Sequence, residues 1–311
     1  MIKKTIGSRL RLLQVPVLFI FMCSSWGAFA QDDAINRLCQ QVGNKLGSVS
    51  IEQCLNLNLI DTQGRSNLKR ALAVKDYSPV DGVMPLGKVL IMGGIHGDEY
   101  SSVSLVFKWM ETLNKHHSGL FHWRVVPLMN PDGLLNIPKA TRQNANGVDL
   151  NRNFPTSDWL DLAEKYWVKK TYRNPRRFPG HFAASEPETK WFLNQINTFQ
   201  PEVIIAVHAP HKLVDFDGPQ QPPVKLGKLR LRRLGTYPGS LGNYGGTTLE
   251  MPVVTVELAS AGIMPTDKEI RGMWRDLVRW LRAEVPKRRQ AMLEKQSTVI
   301  TESENGQNNV E

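Results

Sequence analysis

The chain has 311 residues and a formal net charge of +10 at pH 7. This length suits one large α/β domain, or such a domain with a small N-terminal piece. The positive charge fits an anionic partner such as the cell wall or a membrane surface, whereas the export signal described next excludes nucleic acid.

Residues 1–30 are typical of a secretory signal peptide. Basic residues precede the apolar run 15–22, and the small residues Ala28 and Ala30 precede the expected cleavage point. The apolar run is too short to span a bilayer, although a retained anchor is the alternative interpretation. Bulky side chains before Cys23 exclude a lipoprotein. We therefore expect a periplasmic or secreted protein with no stable membrane span after cleavage.

The next segment, residues 31–87, is predicted to be a small helical piece followed by a connector. Residues 34–42 have helical spacing, and Ser50 is an N-cap for a second short helix. Cys39 and Cys54 are predicted to form a disulfide in an oxidising compartment, with free thiols or a metal site as alternatives. The role of residues 31–65 is open: they either pack on the main domain or act as an inhibitory pro-segment.

Residues 88–285 alternate between strand and helix patterns and are predicted to form the catalytic domain. The expected fold is α/β, with a mixed, mostly parallel central sheet flanked by helices. We expect strands at 88–92, 123–128, 203–207 and 253–258, and helices at 100–113, 186–199 and 267–285. Ser185 and Glu188 form an expected capping box for the second of these helices. The long segments 131–160 and 209–250 are expected to be binding loops, and residues 286–311 a disordered tail.

Four ionisable side chains lie at the ends of apolar strands. His96 and Glu99 follow the first strand, after glycines that permit a sharp bend. His208 follows the third strand, and Glu257 lies in the fourth, where a buried carboxylate needs a charged partner or a catalytic task. In α/β sheets ligands collect at the carboxyl ends of strands, so these four side chains are expected to meet.

Two imidazoles and one carboxylate leave one zinc position open for water, which is the catalytic zinc pattern. Zinc lowers the pKa of a bound water molecule to about 7, and a neighbouring carboxylate then accepts its proton. We predict that His96, Glu99 and His208 bind one zinc ion per chain and that Glu257 is the general base.

A second group of polar residues lies in the segment 142–155. Arg142 and Arg152 flank amide side chains and a glycine turn. Because arginine binds carboxylates in a bidentate fashion, this segment is a candidate carboxylate-binding loop. A turn-rich surface loop with ordinary arginines explains the same residues equally well.

At these residues the sequence resembles the zinc metallocarboxypeptidase family. The shared motifs span residues 88–285 and are, in chain order, His96-Gly-Asp-Glu99, Asn130-Pro-Asp-Gly133, Gly147-Val-Asp-Leu-Asn-Arg-Asn-Phe154, His208 and Glu257. The resemblance implies the same sheet, zinc ligands and general base. It also implies that Asn151 and Arg152 hold the terminal carboxylate of the substrate, and that Arg142 polarises the scissile carbonyl and stabilises the oxyanion.

Within the family the chain is most similar to the bacterial murein peptide amidases, which cut between γ-D-glutamate and meso-diaminopimelate. The 144–155 loop and the segment 238–244 carry this resemblance. Two positions depart from the family pattern. Asp98 stands where digestive members have arginine, and the substrate-capping tyrosine has two candidates, of which Tyr244 is preferred to Tyr237.

We therefore predict a monomeric, exported zinc peptidase that hydrolyses peptidoglycan stem peptides or other short peptides. An ordinary carboxypeptidase that releases basic C-terminal residues is the alternative, because Asp215 and Asp217 suit a cationic side chain. A non-catalytic wall-binding module requires a missing ligand or base, and none is missing. An acyl-amino-acid deacylase shares a similar ligand motif, but the 151–153 loop and the Glu257 strand favour a peptidase.

Overall fold

A seven-stranded mixed sheet organises the molecule. The computed structural model describes residue 1 and residues 26–307, with side chains for residue 1, residues 33–291 and residues 293–294. The strands of these residues are β1 (Ile60–Arg65), β2 (Ala71–Tyr77), β3 (Lys88–Met92), β4 (His122–Val126), β5 (Val203–His208), β6 (Leu213–Asp217), β7 (Lys225–Leu226), β8 (Leu229–Arg230) and β9 (Val253–Glu257). The helices are α1 (Trp26–Lys45), α2 (Ile51–Asn56), α3 (Tyr100–His116), α4 (Pro131–Leu134), α5 (Trp159–Lys169), α6 (Pro187–Phe199) and α7 (Asp267–Gln307).

The sheet order is β1-β2-β4-β3-β5-β9-β6. The four central strands β4, β3, β5 and β9 run parallel, whereas β2 and β6 join their neighbours antiparallel at the two sides. Parallel strands place their carboxyl ends at one edge of the sheet, which is where ligands bind in such folds. The predicted fold class is therefore confirmed.

Helices cover both faces of the sheet because the central strands are apolar on both sides. Alternate residues of β3 show this: Val89 and Ile91 join a core with α1, α2, α3 and α7, whereas Leu90 and Met92 join a second core beneath α6. All four of these side chains are fully buried. The sheet is thus a rigid support for the residues at its carboxyl edge.

The N-terminal part of the chain belongs to this domain. The predicted connector at 66–87 is wrong for residues 71–77, because β2 pairs with β4 and carries β1 into the same sheet. Helices α1 and α2 pack into the core with α3, and Ser48 donates a hydrogen bond to Ser104 at 2.6 Å. The predicted disulfide joins Cys39 to Cys54, and Ser50 caps α2 as expected.

The closing helix is longer than the sequence pattern indicates. The sequence pattern predicts an end at residue 285 before a disordered tail, whereas the helix of the structure continues to Gln307. Val285 is buried, Arg289 donates to the carbonyl of Pro85 at 2.9 Å, and Arg288 donates to the carbonyl of Glu250. These contacts hold the helix against the domain beyond the internal Pro286. Residues 308–311 lie outside the described part.

Two further local expectations differ from the structure. Glu186, rather than Ser185, is the N-cap of α6, because the helix begins at Pro187; the Ser185 hydroxyl donates to the Glu186 carboxylate at 2.7 Å instead of capping the helix. The segment 209–250 contains β6, β7 and β8 as well as a π-helical turn at 243–248. β6 adds to the sheet beside β9 and so brings its side chains to the same edge as the central strands.

The predicted signal peptide falls largely outside the described residues. Of residues 1–30, the structure describes only residue 1 and residues 26–30. No helix in the described ranges is both long and apolar enough to cross a membrane. The signal peptide therefore stays a prediction.

Candidate metal centre and substrate cleft

Two glycines shape the turn that presents the first two candidate ligands. Gly94 has a φ of +63°, which an L side chain rarely adopts. A Cβ on Gly97 would lie 2.1 Å from the backbone of Gly133, so this position admits only glycine. The chain passes from β3 through this turn, which places His96 and then Glu99 directly before α3.

The three predicted metal ligands lie together in the structure. Nδ1 of His96 is 2.7 Å from Oε1 of Glu99, and Nδ1 of His208 is 3.2 Å from Oε2. One ligand atom from each residue can be chosen so that all lie within 4.8 Å of one another, and all three residues are buried. Two imidazoles with one carboxylate form the donor set of a catalytic zinc site, so these residues fit the ion that the sequence implied.

The two imidazoles of the cluster keep Glu99 ionised. Burial raises the pKa of Glu99, but His96 and His208 outweigh this effect and hold the pKa well below its ordinary value. The amide of Ala209 also donates to Oε2 of Glu99 at 3.2 Å. Glu99 therefore remains an ionised carboxylate, the form that binds a cation.

Glu257 lies beside the cluster. It is the register partner of His208 on the adjacent parallel strand, is only 7% exposed and lines the same cleft. Its Oε2 accepts a hydrogen bond from the backbone amide of His211 at 3.3 Å. His211 makes this contact through its backbone. The geometry suits a general base that acts next to the metal ligands.

Asp149 was missed by the sequence reasoning and lies at the centre of the site. It is fully buried, with Oδ1 at 3.2 Å from Nε2 of His96 and Oδ2 accepting from Nε of Arg142 at 2.9 Å. Burial raises its pKa, but Arg142 and His96 outweigh this and hold the pKa well below its ordinary value. Such a carboxylate orients the ligating imidazole. The sequence signal that could have identified Asp149 is a charged residue between the apolar residues Val148 and Leu150. Glu257 was identified by the same kind of signal, a charge within an apolar strand.

The predicted carboxylate-binding residues also line the cleft, which has a volume of about 350 Å³. Arg142 approaches Oε1 of Glu99 at 3.5 Å. Arg152 donates to the carbonyl of Asn151 at 2.7 Å, and burial lowers its pKa to about 10. The side-chain oxygen of Asn151 accepts from the amide of Leu241 at 2.8 Å. Guanidinium groups thus line the cleft beside the metal cluster.

The two candidates for the capping tyrosine lie in different surroundings. Tyr244 is not among the residues that line the cleft; its ring stacks on Phe154 at 5.8 Å and packs against the apolar core under α6. Tyr237 does line the cleft, and the guanidinium of Arg152 lies 4.5 Å from its ring centroid. The Tyr244 ring is held by apolar packing, whereas Tyr237 is held by a cation at the site.

Charged residues from two other segments complete the cleft. Asp215 and Asp217 project from β6, and burial together with Asp215 raises the pKa of Asp217 to about 7. Arg176 and Arg177 also reach the cleft, from a 3₁₀ turn, and sequence reasoning did not single them out. Arg176 donates to Asp98 at 2.8 Å. Asp98 stands where digestive enzymes have an arginine, so an arginine from a different segment is paired with that position here.

Comparison with known proteins identifies relatives of the chain. The sequence model of the zinc carboxypeptidase family matches residues 58–222, more than half of the chain. Murein peptide amidase A of Escherichia coli (strain K12) is 38% identical over 127 residues, which cover 39% of this chain and 48% of that protein. Murein peptide amidase A of Vibrio campbellii (strain ATCC BAA-1116) is 32% identical over 180 residues, which cover 54% of this chain and 68% of that protein.

The matched region thus spans about half the length of the Escherichia coli relative and about two thirds of the Vibrio one. Among solved structures, carboxypeptidase A from Helicoverpa armigera superimposes with a TM-score of 0.57 at 16% identity, over 84% of this chain and 73% of that one. At that identity the superposition shows a shared fold.

Proposed function

Since the chain belongs to the zinc carboxypeptidase family, we propose that it is an exported zinc peptidase that hydrolyses peptidoglycan stem peptides between γ-D-glutamate and meso-diaminopimelate. The observation that carries the proposal is that one cleft is lined by side chains of both charges. Arginines line it beside the metal cluster, and Asp215 and Asp217 line it from β6. Diaminopimelate presents carboxylates together with a distal ammonium group, which matches both kinds of side chain. Murein peptide amidases are also among its relatives.

The reaction follows from where the side chains lie. Zinc, when bound by His96, Glu99 and His208, supplies a Lewis acid and lowers the pKa of a water molecule to about 7. Glu257 accepts the proton of the attacking water and delivers it to the leaving amine. Its position beside His208 is fixed by strand pairing, so the proton acceptor needs no rearrangement to reach the site.

The arginines and Asn151 bind the substrate, and Asp149 orients the groups around it. Arg142, held by Asp149, donates to the scissile carbonyl and to the oxyanion that develops from it, a contribution often worth about 3 kcal/mol. Arg152 and Asn151 hold the carboxylate of the leaving residue. Asp149 keeps the imidazole of His96 oriented through the nitrogen that faces away from Glu99.

Export is part of the proposal and rests on the sequence. The basic residues, apolar run and small residues of positions 1–30 support export across the inner membrane. Stem peptides are accessible in the compartment outside that membrane. The disulfide between Cys39 and Cys54 also suits an oxidising compartment.

The test is a digest of purified muropeptides followed by mass spectrometry. We expect release of diaminopimelate from the tripeptide L-Ala-γ-D-Glu-meso-diaminopimelate, loss of activity with a chelator and recovery with zinc. Activity that persists after exhaustive zinc removal would exclude the mechanism, and intact tripeptide after prolonged digestion would exclude the substrate.

A general carboxypeptidase for basic C-terminal residues is the second candidate. Asp215 and Asp217 favour it as well, because a lysine or arginine side chain offers the same positive charge to β6. Matched reactions with C-terminal Lys and Arg peptides decide between the two: faster release from these peptides than from the tripeptide favours the second candidate.

A further inference from the structure

We propose that Arg176 and Arg177 form a carboxylate-binding site on the acyl side of the scissile bond, and that this site selects a γ-linked glutamyl residue with a free α-carboxylate. The inference rests on the proposed function, because it takes the metal cluster and Glu257 as the position of the reacting bond. It adds a determinant for the residue that precedes that bond.

The turn that carries the two arginines is held firmly. Asn174 is the N-cap of the turn Pro175–Arg177, and its side chain accepts a hydrogen bond from the amide of Arg176 at 3.0 Å. Gln143, next to Arg142, donates to the carbonyl of Pro175 at 2.9 Å. One residue beyond the turn, the carbonyl of Phe178 accepts from the amide of Asp149 at 2.8 Å. The turn is thus bonded on both sides to the loop that carries the catalytic arginine.

Arg176 is held next to the metal ligands. It donates to Oδ2 of Asp98 at 2.8 Å, and Asp98 lies between His96 and Glu99 in the chain. The Arg176 side chain is 54% exposed. A guanidinium group has five N–H donors, so this ion pair fixes its position and leaves donors for a second carboxylate.

Arg177 is less exposed than Arg176 and lies beside Arg142, the residue predicted to stabilise the oxyanion. Its Nη1 is 3.8 Å from Oδ2 of Asp149, the oxygen that Nε of Arg142 already contacts at 2.9 Å. Two guanidinium groups therefore share one buried carboxylate oxygen. Burial and Arg142 both lower the pKa of Arg177, which shows how crowded the positive charge is. A further anion at this point would relieve that repulsion.

The leaving residue is expected to use a different set of contacts. Arg152 lies over Tyr237, Asn151 is bonded to the amide of Leu241, and a Cβ on Gly242 would lie 2.0 Å from Oδ2 of Asp217. These contacts join the 237–242 loop, β6 and Arg152 into one half of the cleft. Arg176 is connected to the His96–Glu99 turn through Asp98. Arg152, Asn151 and β6 thus supply the contacts of the leaving residue, which leaves the arginine pair for the acyl residue.

The chemistry of a γ-linked glutamate fits this position. Its α-carboxylate is separated from the scissile carbonyl by a three-carbon chain, roughly 5 Å when extended. An ordinary α-linked peptide presents a neutral backbone amide in this region. A free carboxylate gains charge-assisted, bidentate hydrogen bonds from the arginines, and these are the stronger class of hydrogen bond.

The experiment compares two tripeptides that differ by one charge, L-Ala-γ-D-Glu-meso-diaminopimelate and its analogue with D-isoglutamine, which has a carboxamide in place of the α-carboxylate. The wild-type enzyme should have a kcat/KM about 10- to 100-fold higher for the carboxylate. In the double variant Arg176→Gln, Arg177→Gln this ratio should fall to about 3 or less, through loss on the carboxylate peptide alone. Arg173→Gln is the control, because Arg173 is exposed and packs over Trp167.

Equal rates on both peptides in the wild type, or an equal loss on both peptides in the double variant, would overturn the inference. Failure of the wild type to cleave either peptide would instead overturn the proposed function. Calorimetric binding of the two peptides to zinc-loaded Glu257→Gln, with and without the arginine substitutions, then tests the carboxylate site by itself. Equal affinity for both peptides in that assay would refute it.

Discussion

His208 and Glu257 are register partners on the adjacent parallel strands β5 and β9. A metal-ligand candidate and a general-base candidate are therefore spaced by backbone hydrogen bonds of the sheet rather than by flexible loops. Glu99 completes the cluster from the start of α3, with one carboxylate oxygen towards His96 and the other towards His208. The reacting groups are thus positioned before substrate arrives, which is the basis of the following predictions.

Glu257→Gln should lower kcat by at least 100-fold, and by up to about 10,000-fold, because the amide cannot accept the proton of water. Zinc content should remain near one ion per chain, since the three ligand candidates are unchanged. Steady-state kinetics and elemental analysis measure the two quantities. Glu164→Gln, on the exposed side of α5, is the control and should match the wild type. Equal turnover in Glu257→Gln would remove this residue from the mechanism.

Asp149→Asn should weaken zinc affinity by about 10- to 100-fold, because the carboxylate that orients His96 is lost. The thermal midpoint should also fall, since Arg142 and Arg177 lose their shared counterion in a buried site. Competition with a chromogenic chelator measures the affinity. Asp161→Asn, exposed on α5, is the matched control. Unchanged zinc affinity in Asp149→Asn would show that the contact with His96 does not support metal binding.

The affinity for a cationic leaving residue should depend on pH through Asp217. Burial and Asp215 raise its pKa to about 7, against an opposing effect of Arg233. The carboxyl group is therefore neutral below about pH 7 and charged above it. The KM of the diaminopimelate tripeptide should fall several-fold as the pH rises from about 6 to about 8.

Two controls isolate that effect. Asp217→Asn should show a flat KM over the same pH range, and a tripeptide with an acetylated distal amine should show none of this dependence in the wild type. If Asp217→Asn keeps the same pH profile, a different group controls substrate affinity.

Tyr237 and Tyr244 should respond differently to substitution. Tyr237→Leu removes the ring beneath Arg152, and a cation–π contact of about 0.5–2 kcal/mol corresponds to a rise in KM of roughly 2- to 30-fold. Tyr244→Phe keeps the stacking on Phe154 and should leave kcat/KM within about 2-fold of the wild type. A large kinetic loss in Tyr244→Phe with an unchanged thermal midpoint would restore Tyr244 as a substrate contact.

The sequence could reveal the centre of this site because burial leaves a clear pattern. His96, His208 and Glu257 each end or interrupt an apolar run, and a charged group in such a run needs a reason to be there. Lys88–Met92 and Val203–His208 could be located for the same reason, since fully buried parallel strands are continuously apolar.

The rest of the site depends on contacts between distant segments. Arg176 meets Asp98 across 78 positions of the chain, and nothing in the local pattern of a charged turn distinguishes it from a solvated one. Strand β2 lies within the predicted connector. Its Lys75 and Asp76 interrupt the apolar pattern, and only the fold shows that Asp76 pairs with Arg124 of β4. Residues beyond 285 look disordered by composition, yet Arg289 is bonded to Pro85.

The central claim is that water attacks the γ-glutamyl carbonyl of a stem peptide at the centre built from His96, Glu99, His208 and Glu257. Digestion of L-Ala-γ-D-Glu-meso-diaminopimelate in ¹⁸O-labelled water, read by mass spectrometry, tests it most directly. The zinc-loaded enzyme should place one ¹⁸O atom in the L-Ala-D-Glu product and release unlabelled diaminopimelate, and the zinc-depleted enzyme and Glu257→Gln should yield neither product at a comparable rate. Unchanged label incorporation after zinc depletion, or cleavage at a different bond, would contradict the account.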